Sequence, residues 1–316
     1  MKFNLIIVLL GVLMFSFSIE EIITKTFEDK NIKCTYQTVS GRLNGLYVSY
    51  YSNGKKKAEG NFVNGYRNGV WSVWDEGGAL KMKRDYSDPF MFKRLFPKFP
   101  RDKSIKLLNI PKQSIKYNND GYINLIHVKE SDVVWHKRVW RFMTPENNEV
   151  FFENNRLYGL LNNLIVSDSI KSYKDDEFMS ESEKIDTTDK VLLGFKIKED
   201  CFFDKARLVS EIRIIGICPV LVDNKTRDTI DSYWVYYPYV RKFLAKEKID
   251  LNIVKHKYNT LEDIFFFRVF SGNIYNVSHV FDRKNKEQIN IYSDLQSEEI
   301  EIIESEHNLW IKLSPE

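Results

Sequence analysis

Residues 40–79, SGRLNGLYVSYYSNGKKKAEGNFVNGYRNGVWSVWDEGGA, nearly repeat themselves at a spacing of 24. Gly41, Asn44-Gly45, Tyr47, Tyr50 and Gly54 recur as Gly65, Asn68-Gly69, Trp71, Trp74 and Gly78. Each unit alternates apolar and small residues and then turns at a glycine. Asn53-Gly54 supplies the positive φ that a type I′ hairpin turn requires. Leu46, Val48 and Tyr50 share one strand face, answered by Val70, Ser72 and Trp74. One hairpin cannot bury such a face alone, so units of this kind stack. Eight of the fourteen glycines lie between 41 and 78 and the pattern does not return, so the pair must lean on the later part of the chain.

Ahead of the repeats, Lys2 precedes the 14-residue run LIIVLLGVLMFSFS, which ends in Ser16-Phe17-Ser18. A charged start, a short apolar run and small residues at −3 and −1 predict a cleaved secretory signal over residues 1–18. Spanning a bilayer takes about 20 residues, so an uncleaved anchor is the weaker alternative. The run has no cysteine at its end, so no lipoprotein anchor is expected. Lys and Arg exceed Asp and Glu by only three across the chain, which argues against a nucleic-acid partner. Cys201 and Cys218 are a candidate disulfide if the compartment is oxidising; the alternative is two small buried apolar residues.

Half of the eight prolines fall in Pro89, Pro97, Pro100 and Pro111, among Phe90, Phe92, Phe96 and Phe99. This predicts an extended strap or linker over 89–126, separating a repeat module at 31–88 from a second domain at 127–316. If the module is separable, removing 31–88 should leave the second domain folded. In that domain Asp132 is placed to cap a helix with Trp135, Val139, Phe142 and Met143 on one face. A second helix stripe runs through Leu157, Leu160, Leu161, Leu164 and Ile165. Residues 176–190 read as an exposed acidic loop. From Arg207 the period drops to two: Leu208, Ile212, Ile214 and Val220 lie on one face, Arg207, Glu211 and Arg213 on the other. After a turn near Asp223-Asn224, DSYWVYYP provides an antiparallel partner. Pro238 suits a first helical turn, Thr260 with Asp263 forms a capping box, and SEEIEIIESEHNLW is a charged amphipathic stretch. The sum is an α+β chain: β-hairpin repeats, then a mixed domain around a small antiparallel sheet.

No catalytic motif emerges. The five histidines lack metal spacing, and there is no nucleophile elbow, P-loop or dinucleotide fingerprint. Glu199-Asp200 and Asp204 flank CFF, either as carboxylates with a raised pKa or as partners for Lys205 and Arg207. The expectation is a chain that is not an enzyme and needs no cofactor or metal. Tyr47, Tyr50, Trp71 and Trp74 either mark a binding face or build the hairpin core. The lysines at 55–57 either attract anionic lipid or are solvated. Arg207, Glu211 and Arg213 are candidate interface charges against a solvated or internally paired strand face. Trp135, Trp140 and Tyr237 are candidate interface anchors against core aromatics.

The repeat unit resembles the MORN repeat, in the form found in bacterial YwqK-like proteins, modules that act as interaction surfaces. The later blocks VVWHKRVWRFM, KIKEDCFFDKARLVSEIRIIGICPV, YWVYYPYVRKFLA, TLEDIFFFRVFSGNIYNVSHVFDR and EHNLW resemble, in order, the GldN/PorN family. That resemblance implies a periplasmic, non-catalytic ring component of the type IX secretion and gliding apparatus. It implies partners in a GldK/PorK-like lipoprotein and a GldM/PorM-like motor protein, with membrane association only through partners. The repeat pair departs from the family pattern. The alternative is an exported MORN-type interaction module that keeps a GldN-like fold outside the machine.

Overall fold

The computed structural model describes residues 20–39, 42–87, 93–96, 117–182, 189–249, 259–278, 287–288 and 295–313. The signal over 1–18, Gly41 and most of the strap lie outside the described residues.

The repeats fold into a seven-stranded antiparallel meander: β1 (Glu20–Thr26), β2 (Ile32–Val39), β3 (Arg42–Tyr50), β4 (Lys56–Val63), β5 (Tyr66–Trp74), β6 (Leu80–Asp85) and β7 (Lys93–Phe96). The sheet therefore extends past the repeat at both ends. The two units turn identically. Tyr51 N donates to Lys55 O and Asp75 N to Ala79 O, both at 2.9 Å, with Gly54 and Gly78 at φ 80° and 97°. Alternation fixes two faces. Cys34, Tyr36, Leu43, Tyr47, Ala58, Phe62, Trp71, Val73 and Met82 are buried on the inner one. Leu46 and Val70 on the outer one are 43% and 46% exposed. Gly60, opposite Tyr47, lies beneath the Trp71 indole, and a Cβ there would run into the ring. Trp71 stacks on Tyr47 at 5.5 Å and meets Phe62 edge-on at 4.9 Å.

A second antiparallel sheet contains β8 (Val133–Met143), β9 (Lys190–Asp204), β10 (Val209–Asp223), β11 (Thr229–Asp231), β12 (Val235–Tyr236), β13 (Asn273–Ser278) and β14 (Glu287–Gln288). Its order is β11-β10-β9-β8-β13-β14, with β12 also on β10. The helices are α1 (Glu149–Phe152), α2 (Arg156–Val166), α3 (Tyr237–Leu244), α4 (Leu261–Phe266) and α5 (Leu295–Leu313). Residues of α1 to α4 pack with Met143, Phe195, Ile197, Ile214, Ile217 and Val235 in one core. The chain is thus a mixed α+β protein.

Several local expectations change. The helix expected after Asp132 is the strand β8, held between β9 and β13. Both its faces are covered, so apolar residues occur at both parities and coincide with helical spacing; Val133, Val134, Val139 and the two tryptophans favour extended backbone. The stretch before Arg207 carries β9, whose apolar and charged residues mask alternation for the same reason. The Thr260–Asp263 capping box is present, but its helix ends at Phe266, and Arg268 takes φ 58°. The acidic stretch after residue 175 is not simply a solvated loop: Asp176 is buried, and Phe178 meets Tyr173 and Tyr236 edge-on at 5.5 and 5.4 Å. Gly216 leaves the space that the Phe178 ring fills.

Candidate functional site

Helix α5 lies between the two sheets and serves both. Its N-terminal half faces the second sheet. Lys137 donates to Glu298 at 2.6 Å, Arg141 bonds Glu299, and Ile302 packs with Val139, Cys201, Ile274 and Val277. Its C-terminal half faces the repeats: Trp310 is buried in the same cluster as Tyr47 and Trp71, with Leu309, Ile311 and Leu313 packed against it, and Ile300 from the first half, Phe203 and Leu208 join that cluster. The repeats and the region of the second sheet therefore share part of a core through α5.

Charge sets the helix register at that seam. Glu304 accepts from Tyr47 Oη and from Lys57. Glu306 accepts from Arg67 and, at 3.3 Å, from Arg84, which is fully buried and also donates to Leu208 O at 2.8 Å. The Arg84 guanidinium sits 3.8 Å from the centre of the Trp310 ring. Burial pushes the Glu306 carboxyl up, but Arg67 and Arg84 outweigh it and hold the group down at about 2. Tyr66 Oη, from the second repeat hairpin, donates to Arg268 O and Phe270 O. A missing partner here leaves a buried charge, so these pairs specify one docking position.

Tyr47 and Trp71 are fully buried at this seam, whereas Tyr50 and Trp74 lie on the opposite face of the repeat sheet, half-buried. The lysine cluster is taken up internally. Lys57 binds Glu304, Lys56 binds Glu59 and lies 5.9 Å from the Trp74 ring, and Lys55 Nζ donates to Gly77 O at 3.2 Å.

On the second sheet, Arg207 joins Asp204 to Glu211, and Arg213 Nε donates to Glu211 at 2.6 Å. Arg213 also donates to Ile126 O at 2.6 Å, closing a chain of partners within the protein. Trp135 is half-buried between the two clusters that α5 joins. Trp140 is buried and donates to Asp176 at 2.6 Å; Tyr237 is buried and donates to Glu262 at 2.7 Å. Both rings are enclosed, so neither presents an anchor at the surface.

Cys201 and Cys218 are free. Cys201 pairs across to Ile212, whereas Cys218 pairs to Lys196, five residues back along β9. That is about 17 Å of strand, against a Cα separation of at most about 7 Å for a disulfide. Neither Glu199 nor Asp200 is a raised-pKa acid. Glu199, fully buried, is brought down by Arg268 and Arg141 despite burial, and Asp200, by His136 and Arg138, sits at about 2. Among the described residues no group of three or more His, Cys, Asp or Glu is placed to hold a metal ion. Among them, too, no helix is long and apolar enough to cross a membrane.

Sequence reasoning missed Gly60, Arg67, Arg84, Glu304, Glu306 and His307. The signal was there in part: Ile300, Ile303, His307 and Trp310 recur at helical spacing, and Arg67 and Arg84 share strand parity with the inward Trp71, Val73 and Met82.

The family model of the gliding motility associated protein GldN matches residues 128–193 and 180–311, which take in the second sheet and nearly all of α5. No curated protein matches the chain.

Proposed function

The chain belongs to the GldN family, and from that premise we propose that it is a non-enzymatic structural subunit of the periplasmic ring of the type IX secretion and gliding apparatus. The family is a component of gliding motility and type IX secretion, and is not a known family of enzymes. In this reading residues 1–18 direct export. The mature chain assembles with a GldK-like lipoprotein, which holds it at the outer membrane, and touches a GldM-like motor protein. The observation that carries the proposal is the family match across 128–311. The hairpin pair at 31–88 is a MORN-like addition. Its outer face, with Tyr50, Trp74, Leu46 and Val70, is the surface it offers a partner, since the inner face is committed to α5.

One observation favours a second reading. The repeat sheet lies outside the family match yet shares a core with the matched region. A MORN-type interaction protein that kept the fold but left the machine would look the same. Mild cross-linking of native envelopes, followed by affinity purification of the tagged chain, separates the two. Recovery of a GldK-like lipoprotein together with a GldM-like protein is expected; a monomer, or an unrelated partner alone, would overturn the ring assignment.

A further inference from the structure

His307 sits on the C-terminal half of α5, at the centre of its contact with the repeat sheet. The imidazole is fully buried, and neither ring nitrogen has a hydrogen-bond partner among the described residues. It lies against aromatic faces, 6.0 Å from the Trp71 ring and 6.4 Å from Tyr47. Every element packed there also brings a polar or charged group. Helix α5 supplies Glu304 and Glu306, β3 the Tyr47 hydroxyl, β4 Lys57, β5 Arg67, and β6 Arg84 followed by Tyr86; the Cys34 thiol on β2 lies near Tyr47 and Glu304. Both carboxylates are already bound, Glu304 by Tyr47 and Lys57, and Glu306 by Arg67 and Arg84. Glu304 comes within 3.9 Å of the His307 Nδ1, beyond hydrogen-bond reach.

A neutral imidazole fits this seat as a flat, weakly polar ring. A protonated one would be a buried charge among three cations and two carboxylates that are already committed. We propose that His307 makes closure of α5 onto the repeat sheet conditional on its being neutral, so that proton uptake releases the C-terminal half of the helix while the N-terminal half stays on the second sheet. Burial is the main influence lowering the affinity of His307 for a proton, Arg67 acts the same way, and Glu304 opposes them.

The direction follows from linkage. The closed seam holds His307 below its ordinary value of 6.5, so its stabilising contribution is full above that pH and is lost as pH falls below it. Glu304 and Glu306 are depressed from 4.5, so their contributions persist until the pH falls below that value. Between the two values the imidazole is the group whose ordinary range is crossed at this seam, with Glu304 coupled to it. The N-terminal half of α5 is held by Lys137–Glu298, Arg141–Glu299 and the apolar cluster around Ile302, and no histidine takes part in those contacts. His136, on β8, lies 3.5 Å from Asp200 on the second sheet, away from this seam.

Hydrogen–deuterium exchange of the full chain at pH 7.5 and pH 5.0, corrected for intrinsic rates, tests the proposal. Protection across 303–313 and β5 should fall on acidification by up to about tenfold per pH unit below 6.5, the limit for uptake of one proton. Protection of 295–302 and β9 should hold. His307→Phe, which keeps an aromatic ring in the seat, should abolish the pH dependence. NMR titration of the wild-type imidazole gives a readout that needs no variant and should place its midpoint below 6.5. Unchanged protection at pH 5.0, the same loss in His307→Phe, or a midpoint at or above 6.5 would each overturn it.

Discussion

The two sheets differ in how their faces are covered. The repeat sheet is a meander of strands of up to nine residues with one face half-exposed and the other closed by α5 together with Phe203 and Leu208. The second sheet has strands of up to 15 residues, helices packed on one side and, on the other, Phe178 with the chain around it. The first shows its alternation openly but cannot complete its own core. The second hides its alternation because both faces are used, yet its α1–α4 core is closed by its own segments. Self-sufficiency and legibility run in opposite directions here.

The dependence of the repeat sheet on α5 is broken most directly at Glu306. Glu306→Ala leaves the Arg67 and Arg84 guanidinium groups without their shared carboxylate, one of them fully buried, and should cost about 3–5 kcal/mol in denaturant unfolding. The paired carboxylate's contribution is present above pH 4.5 and lost as pH falls toward about 2, so the variant and wild type should converge in stability in strong acid. A loss below about 1 kcal/mol at neutral pH would mean that the seam is not what closes this sheet.

A smaller effect sharpens the contrast from inside the repeat. Gly60→Ala places a methyl group against the Trp71 indole and should cost about 1–3 kcal/mol, with altered tryptophan fluorescence as the ring shifts. A neutral substitution would show that the indole can move without disturbing the α5 contact. The smallest effect belongs to the outer face of the second sheet. Glu211→Ala removes a partner from Arg207 and Arg213, but these groups are partly solvated and the loss should stay below about 1 kcal/mol by thermal unfolding. A larger loss would make that ladder structural in the same sense as the seam.

The sequence revealed most where one physical constraint acted alone. The hairpin turns were readable because Gly54 and Gly78 need positive φ, the α3 start because Pro238 fits only a first turn, and α4 because Thr260 and Asp263 cap each other. It misled where two constraints overlapped. Trp135, Val139, Phe142 and Met143 satisfy a helical period because β8 is apolar on both faces. The repeat aromatics were recognised, but not that Tyr47 and Trp71 face a helix while Tyr50 and Trp74 do not. That depends on which face receives α5, information that lies more than 200 residues away.

The same separation governs how the molecule is made. Tyr47 and Glu304 are 257 positions apart, Arg67 and Glu306 239. Chain synthesis is directional, so the hairpins leave the ribosome long before their lid exists, and closing so long a loop is among the slow events of folding. In the interval the packed rings of Tyr47, Phe62 and Trp71 form a bare adhesive face. The unfinished chain is thus most prone to misassociate through the part that looks most ordered, and a chaperone guarding it would act at the hairpins.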